Sequence, residues 1–390
     1  MSAANWVSSL SPARTGSQVA PVATKQDLDD FIRLPWHLYA GNPNWVAPLL
    51  MLERKRFSAK HNAFYKHAEV QLFVARREGR TIGRISAHID HEHNRFHTET
   101  TGFFGFFECV DDADCAAALL TAAENWLRAR GMDQIRGPMN FSVNGEIGFL
   151  ALGYDSPPLP LMTYNPPHYL TLVEAAGYQK IRDLYAWRWD RTPVPEGTPL
   201  RMIEELRARP GVTTRRARMK DFRKEVGMIL ELYNDAWQDN WGFVPATDAE
   251  ADEMSKDLKL IVDPRLVPVV EVNGVPAGVA LAIPNFYWAQ QPLHGKLFPL
   301  GWIRFLWRLK VRRPKSGRLV LFGIKKEFRT RQYAGLAYLL CDEIYKAAYE
   351  GGYTWAEFSW TLEDNGLINA LIKKVGAYHY KTYRIYEKPL

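Results

Sequence analysis

Hydrophobic and polar positions alternate in two places about 200 residues apart. "AEVQLFVARREGRTIGRISAHID" (68–90) reads as two strands around the turn Glu78-Gly79-Arg80. "LVPVVEVNGVPAGVALAI" (266–283) does the same around Asn273-Gly274, a dipeptide that readily takes the positive φ of a two-residue hairpin turn.

Each half then continues alike. The first offers "TGFFGFFECV" as a strand, "ADCAAALLTAAENWLRARG" at helical spacing, and "DQIRGPM" as a further strand. The second offers "RLVLFGI", "AGLAYLLCDEIYKAAYEGG" and "TWAEFSW" in the same order. Both halves end in an asparagine, a short helix, a glycine and a Tyr-rich strand, from Asn165 and from Asn365. The Pro-rich stretch "DRTPVPEGTPL" (190–200) marks a linker. The expected organisation is a disordered leader over 1–22, one domain over 23–192 and a second over 201–390.

Hairpin, strand, helix, parallel strand, helix, strand resembles the acyl-CoA N-acyltransferase (GNAT) fold, present twice across about residues 25–390. The implied class is α/β (α+β): two tandem GNAT-like domains, each a mixed central sheet flanked by helices. The plainer alternative is two unrelated α+β domains with a common element order.

Composition narrows the setting. The chain is 47% hydrophobic and 24% charged, a globular balance. The leader lacks the apolar core of a signal peptide, and no apolar run approaches the ~18 residues that span a bilayer. Three cysteines without metal spacing (Cys109, Cys115, Cys341) suit a cytoplasmic protein with reduced thiols. The net charge of +7 is local: residues 291–326 hold ten Lys or Arg and no acid, leaving 40 basic against 43 acidic elsewhere.

Members of the resembled superfamily hold the CoA pyrophosphate where the fourth strand enters a helix, on amides left without intrahelical partners. Their pattern is Gln/Arg-x-x-Gly-x-Gly/Ala. Gln332, Gly335 and Ala337 match it, with Arg329 and Arg331 expected beside the phosphates. A second register, starting at Arg329, also fits. The same place in the first half reads "CVDDADCAAALL", where three aspartates would oppose an anion and make a good helix start instead. Acyl-CoA is therefore assigned to the second half and no metal is expected. Asn365 joins the expected CoA contacts.

The resemblance further implies a backbone oxyanion donor on the fourth strand, here within Leu321, Phe322, Gly323 and Ile324. The tyrosine that many members use as general acid falls at Ile372, so Tyr378 or Tyr380, a water or no acid must serve. Glu363, Glu146 and Glu108 are the candidate catalytic carboxylates. Helix capping explains Glu363 and neighbouring Asp364 equally plainly. Asn140, Asn144 and Tyr164 on the first half, and Trp237, Trp241 and Phe243 on the second, are candidates to bind the acceptor; turn chemistry is the plainer reading of the two asparagines, and core packing explains the three aromatics equally well. The run "HIDHEHNRFH", with His88, His91, His93 and His97, reads as a polar hairpin.

Residues near 292–317 form an insertion that mixes Leu300, Ile303, Phe305, Leu306, Trp307 and Leu309 with Arg304, Arg308, Lys310, Arg312 and Arg313. This suits a basic amphipathic helix on a membrane surface, or a helix packed on its own domain. No RNA- or DNA-binding motif accompanies it, so nucleic acid is not an expected partner. "HLYAGNPNWVAPLL", "NAFYKHAE", "TGFFGFFE", "MTYNPPHY", "NWGFVP" and "SWTLEDN" together resemble the bacterial ceramide synthases and their relatives. That resemblance implies transfer of a long acyl chain from acyl-CoA to a sphingoid base, sphinganine or its 3-oxo form, at the inner face of the cytoplasmic membrane. A Fem-type aminoacyl ligase, an acetyltransferase for a small amine, and a non-catalytic binding module remain the alternatives.

Overall fold

The computed structural model describes residues 16–390, save the side chains of 248, 254, 257 and 258. In chain order the first half runs β1 (Gln18–Pro21), α1 (Lys25–Leu38), α2 (Leu50–Arg56), β2 (Ala68–Arg77), β3 (Arg80–Asp90), α3 (His91–His97), β4 (Thr101–Cys109) and α4 (Ala113–Arg128). It continues with β5 (Gln134–Gly137), β6 (Met139–Asn140), β7 (Glu146–Ile147), β8 (Phe149–Leu152), α5 (His168–Ala175) and β9 (Gln179–Trp189). The second half runs α6 (Thr198–Ala208), β10 (Val212–Arg216), α7 (Phe222–Trp237), α8 (Asp248–Ile261), β11 (Pro268–Val272), β12 (Val275–Pro284) and α9 (Phe286–Gln290). Then come α10 (Gly301–Leu306), which continues as a π-helix through Arg312, and β13 (Ser316–Ile324), α11 (Leu336–Gly351), β14 (Trp355–Leu362), α12 (Gly366–Lys374) and β15 (Tyr378–Pro389).

The chain forms two compact units. The first takes residues up to Asp183, Gln290–Trp302 and Lys381–Leu390; the second takes Leu184–Ala289 and Ile303–Tyr380. These bounds differ from a single cut at 190–200, because each half's last strand is divided.

In the first unit, β1 to β4 pair antiparallel in order, β5 runs parallel to β4, and the end of β15 is antiparallel to β5. Part of the stretch expected to be a disordered leader is a strand: Gln18–Pro21 pairs with Phe73–Arg76, and the rest of that expectation, over residues 1–15, lies outside the described residues. The histidine run is also not a polar hairpin. Asp90 accepts from the amides of Glu92 and His93 and starts α3, while His88 is buried on β3. α4 buries Cys115, Leu119, Ala123 and Leu127 against the sheet, a stripe at helical spacing worth ~2 kcal/mol for each leucine.

In the second unit, β10 to β13 pair antiparallel, β14 runs parallel to β13, and Leu184–Trp189 of β9 is antiparallel to β14. α11 packs Leu336, Leu339, Leu340 and Ile344 on one face; α7 buries Leu232 on a separate core. Both expected hairpin turns form with positive φ at their two central residues, 50° and 74° at Glu78-Gly79 and 50° and 78° at Asn273-Gly274.

Two features position the site. The parallel pairs β4–β5 and β13–β14 are short: partners run only from Thr101↔Gln134 to Phe103↔Arg136 and from Ser316↔Trp355 to Leu319↔Phe358, after which the strands splay. Beside each splay the first strand of the parallel pair gains an extra residue against its other neighbour, at Phe106–Phe107 on β4 and at Val320 on β13. Such bulges re-aim backbone groups.

Candidate functional site

The first unit's splay is filled by its own chain. A Cβ on Gly105 would lie 1.9 Å from the Met139 carbonyl oxygen, and one on Gly137 would lie 2.4 Å from that of Phe104. Those two glycines let the segment after β5 press onto β4. The bulged Phe106, at φ 48°, donates its amide to Asn140 Oδ1 at 2.7 Å. Asn140 Nδ2 in turn reaches Glu146 Oε2 at 3.2 Å, which also accepts from Arg56 Nη1 at 3.1 Å. Asn144 sits in a turn, its amide on Ser142 Oγ at 3.1 Å. The Tyr164 hydroxyl lies between Asn42 and the Tyr154 carbonyl.

Glu108, at the end of β4, is enclosed. Its Oε2 accepts from the hydroxyls of Tyr39 at 2.7 Å and Tyr169 at 2.8 Å, and Arg84 stands 3.7 Å from Oε1. Burial raises the pKa of Glu108 and lowers that of Arg84; burial, followed by the Glu108 charge, holds both tyrosines well above their usual value. Asn140 and Glu146 thus fix the bulge at Phe106, while Glu108 holds Tyr39 and Tyr169.

The second unit's splay is lined differently. Gly323 faces α7, where a side chain would meet Ala236 Cβ at 3.1 Å. Trp237 follows on the same helix and meets Trp360 of β14 edge to face, with ring centres 6.3 Å apart. Tyr233 stacks obliquely on Trp237 and on the buried Phe243, at 5.5 and 5.2 Å. Trp237 and Phe243 are therefore gathered by Tyr233 beside the end of β13, where Leu321, Phe322 and Ile324 are half-buried. Trp241 is half-buried in the same loop.

Between β13 and α11 the expected phosphate loop is braced to α7. Lys325 pairs with Glu231 at 2.6 Å, Lys326 with Asp239 at 2.7 Å, and the Lys326 amide with Asp235 at 2.7 Å. Arg329 was expected beside the phosphates. It instead donates Nε to the Ile324 carbonyl at 2.8 Å and Nη2 to that of Ala236 at 2.9 Å, fixing the loop's shape. Gly335 has a packing reason: a Cβ there would lie 2.8 Å from Leu206 and 3.0 Å from the Met202 carbonyl of α6. Arg331 and Gln332 are exposed, and Ala337 is half-buried in the first turn of α11. No side chain caps that turn. Asn365 uses its Oδ1 to cap α12 on the Ile368 amide at 3.3 Å, and Glu363 is half-buried just past β14.

Sequence reasoning passed over a buried polar group on β13, β14 and β15. Glu357, fully enclosed, accepts from the hydroxyls of Tyr380 and Ser359. Arg318 donates Nε to Ser359 Oγ at 2.8 Å and Nη2 to the Ser359 carbonyl at 3.2 Å, and stands 3.8 Å from Glu357. Strand alternation sets Glu357 and Ser359 on the face opposite Phe358, at the root of the splay. The available signal was one carboxylate inside the apolar strand "TWAEFSW". Tyr378, the other candidate acid, is half-exposed and reaches Asp190 at 3.3 Å.

Among the described residues no three His, Cys, Asp or Glu are grouped to hold a metal, and no helix is long and apolar enough to cross a membrane. No family model matches the chain. It is 43% identical over 375 residues to the bacterial ceramide synthase of Caulobacter vibrioides, covering 95% of this chain and 97% of that one. It is 36% identical over 367 residues to protein YghO of Escherichia coli, covering 94% of each. Among solved structures, a tandem GNAT protein from the clavulanic acid biosynthesis pathway aligns with TM-score 0.53 at 13% identity, covering 96% of this chain and 98% of that one. A GCN5-related N-acetyltransferase from Sphaerobacter thermophilus aligns at 0.51 and 14%, covering 97% and 96%. These two likenesses bear on the fold, which is tandem GNAT.

Proposed function

This chain belongs to the family of the bacterial ceramide synthases, and we propose that it moves a long acyl chain from acyl-CoA to the amine of a sphingoid base. It is an N-acyltransferase. The observation that carries the choice of half is the start of α11: uncapped amides follow the bulged strand β13, whereas the matching place in the first unit is capped by Asp112 and its bulge amide is held by Asn140. Amides without a side-chain cap at a helix start suit a pyrophosphate, and exposed Arg331 adds charge there.

The residues that remain divide the chemistry. The backbone of Leu321–Ile324 beside the bulge is the assigned oxyanion support. Trp237, Trp241 and Phe243 supply an apolar wall for a lipid amine. Tyr380 is the assigned proton-transfer group: its hydroxyl would protonate the leaving thiolate and regain the proton from water, while buried Glu357 orients it and Arg318 balances the carboxylate's charge. Glu363 remains the assigned base for the incoming ammonium. A lipid product and donor place the protein on the inner face of the cytoplasmic membrane.

Mass-spectrometric assay of the purified chain with sphinganine or 3-oxosphinganine and acyl-CoAs of several lengths tests this. Amide and free CoA should form together. Folded protein that makes no amide from any pair would overturn the reading.

A further inference from the structure

The segment from Ile303 to Arg313 is an inside-out helix. An amphipathic helix in a globular unit normally turns its apolar stripe inward. Here Ile303, Leu306, Trp307 and Val311 are between 39% and 67% exposed, and their spacing of three, four and eight sets them on one stripe. Leu309 is the buried exception. Arg308 holds the helix down from the other side, donating to the Trp288 carbonyl at 2.8 Å with its guanidinium 3.9 Å over the Trp288 ring. A helix clamped this way cannot roll its apolar stripe inward without breaking the clamp.

We propose that this stripe is a docking element for an anionic bilayer. Arg304, Lys310, Arg312, Arg313 and Lys315 are exposed along it, and residues 291–326 contain no acid to oppose them. Aliphatic and indole side chains among cations fit the headgroup–acyl boundary of a membrane carrying negative lipids. A second copy of this chain fits less well, because five like charges would face five.

The docked helix also sets an orientation. Arg312 leads within four residues to Ser316, the first residue of β13, while the proposed CoA loop begins at the other end of that strand. The eight steps between Ser316 and Ile324 span ~26 Å. Docking thus puts one end of β13 at the lipid and leaves the nucleotide end in water. An acyl tail lying along β13 would run toward the bilayer. This orientation rests on the transferase reading above; the docking itself does not.

Co-sedimentation of the full chain with vesicles, without acyl-CoA or amine, tests the docking separately. Phosphatidylcholine vesicles with 30% phosphatidylglycerol, a fraction of the order found on anionic leaflets, should bind at least ~10-fold more tightly than phosphatidylcholine alone, and 0.5 M salt should remove most of the difference. Ile303→Glu with Trp307→Glu should abolish binding; Arg312→Gln with Arg313→Gln should weaken it several-fold while leaving the thermal melt unchanged. Turnover of detergent-dispersed substrates should persist in both. Equal binding to the two vesicle types, unchanged binding by the folded Gln pair, or concentration-dependent dimerisation abolished by the Glu pair in place of vesicle binding would each overturn the proposal.

Discussion

Where β4 meets α4, Asp112 turns its carboxylate onto the Cys115 amide at 2.9 Å and pairs with Arg77 at 2.7 Å. Where β13 meets α11, no side chain caps the helix, and the loop's charged residues are drawn to α7. The same helix start is closed by a fixed anion in one unit and carries no side-chain cap in the other. The splays differ in the same sense. Asn140, Glu146 and the Met139 carbonyl fill the first, while Trp237, Trp360 and the Glu357–Tyr380 pair line the second. The halves share a frame and differ in how it is filled: one is consolidated by internal hydrogen bonds, the other presents an apolar wall and an uncapped helix start, a difference that agrees with the proposed division of uses.

The largest test of that division compares two buried carboxylates. Tyr380→Phe and Glu357→Gln should each lower kcat by roughly 100-fold or more while KM for acyl-CoA stays within about two-fold, the signature of a lost proton-transfer group. Both carboxamides leave a buried arginine, Arg318 or Arg84, beside a neutral group, so both should cost stability, but Glu108→Gln should spare turnover. It leaves Arg84 buried beside a neutral amide, so stability should fall by about 3 kcal/mol in a denaturant titration, with kcat of the remaining folded enzyme little changed. If Glu108→Gln abolishes turnover in fully folded protein, the first unit carries chemistry and the division fails.

The nucleotide site can be probed without disturbing α6. Gly335 is a poor target, since any side chain there collides with Met202 and Leu206 whether or not CoA binds. Ala334 is exposed at the same helix start. Ala334→Asp places a fixed anion where the pyrophosphate is proposed, imitating the first unit. KM for acyl-CoA should rise at least ~10-fold, while the melt stays level or rises because the carboxylate favours the helix N-terminus. An unchanged KM would move the phosphates elsewhere.

Much of this frame was legible. The hairpin turns were readable because Asn273-Gly274 and Glu78-Gly79 must take positive φ, and the repeated element order carried the fold. The acidic start of α4 was readable because capping is local. Less legible was anything decided by distant chain. Gly335 matched a phosphate pattern, yet its small size serves α6, more than 120 residues earlier. Arg329 looked like a phosphate ligand, yet two backbone carbonyls hold it. Glu357 stood out as one acid in an apolar strand, but only the pairing of three strands brings Arg318 and Tyr380 to it. The histidine run is helical for a local reason, because the Asp90 side chain caps it.

Acid should separate the halves next. Burial lowers the pKa of His88 and of His93 to about 4, from an ordinary 6.5. His88 meets the Phe141 carbonyl at 3.1 Å; His93 lies by His97, Glu99 and Arg136. Above pH 6.5 both are neutral, folded or not. Between 6.5 and 4 the unfolded chain takes up protons that the folded one refuses, so stability falls with pH, by about 3 kcal/mol per histidine at the lower limit. His88→Gln should flatten part of that slope. Denaturant titrations across this range, read by hydrogen exchange, should show the loss first in β3 and α3.

The smallest effect isolates the cap itself. Asp112→Ala removes the acceptor for the Cys115 amide and the partner of Arg77, both part-buried. The cap contributes about 1 kcal/mol, and the pair adds less because both side chains remain partly in water. The variant should therefore melt a few degrees lower. It also opens the start of α4 to an anion, so it asks whether removing the fixed charge is enough to make the first unit bind CoA. It should not: Asp111 and Asp114 still oppose a phosphate, and the bulge amide of Phe106 remains on Asn140. Calorimetric titration of Asp112→Ala should give the same stoichiometry as the unsubstituted chain, for which the single proposed site predicts one acyl-CoA. A second binding event would mean that a single carboxylate, not the filled splay, is what separates the two halves.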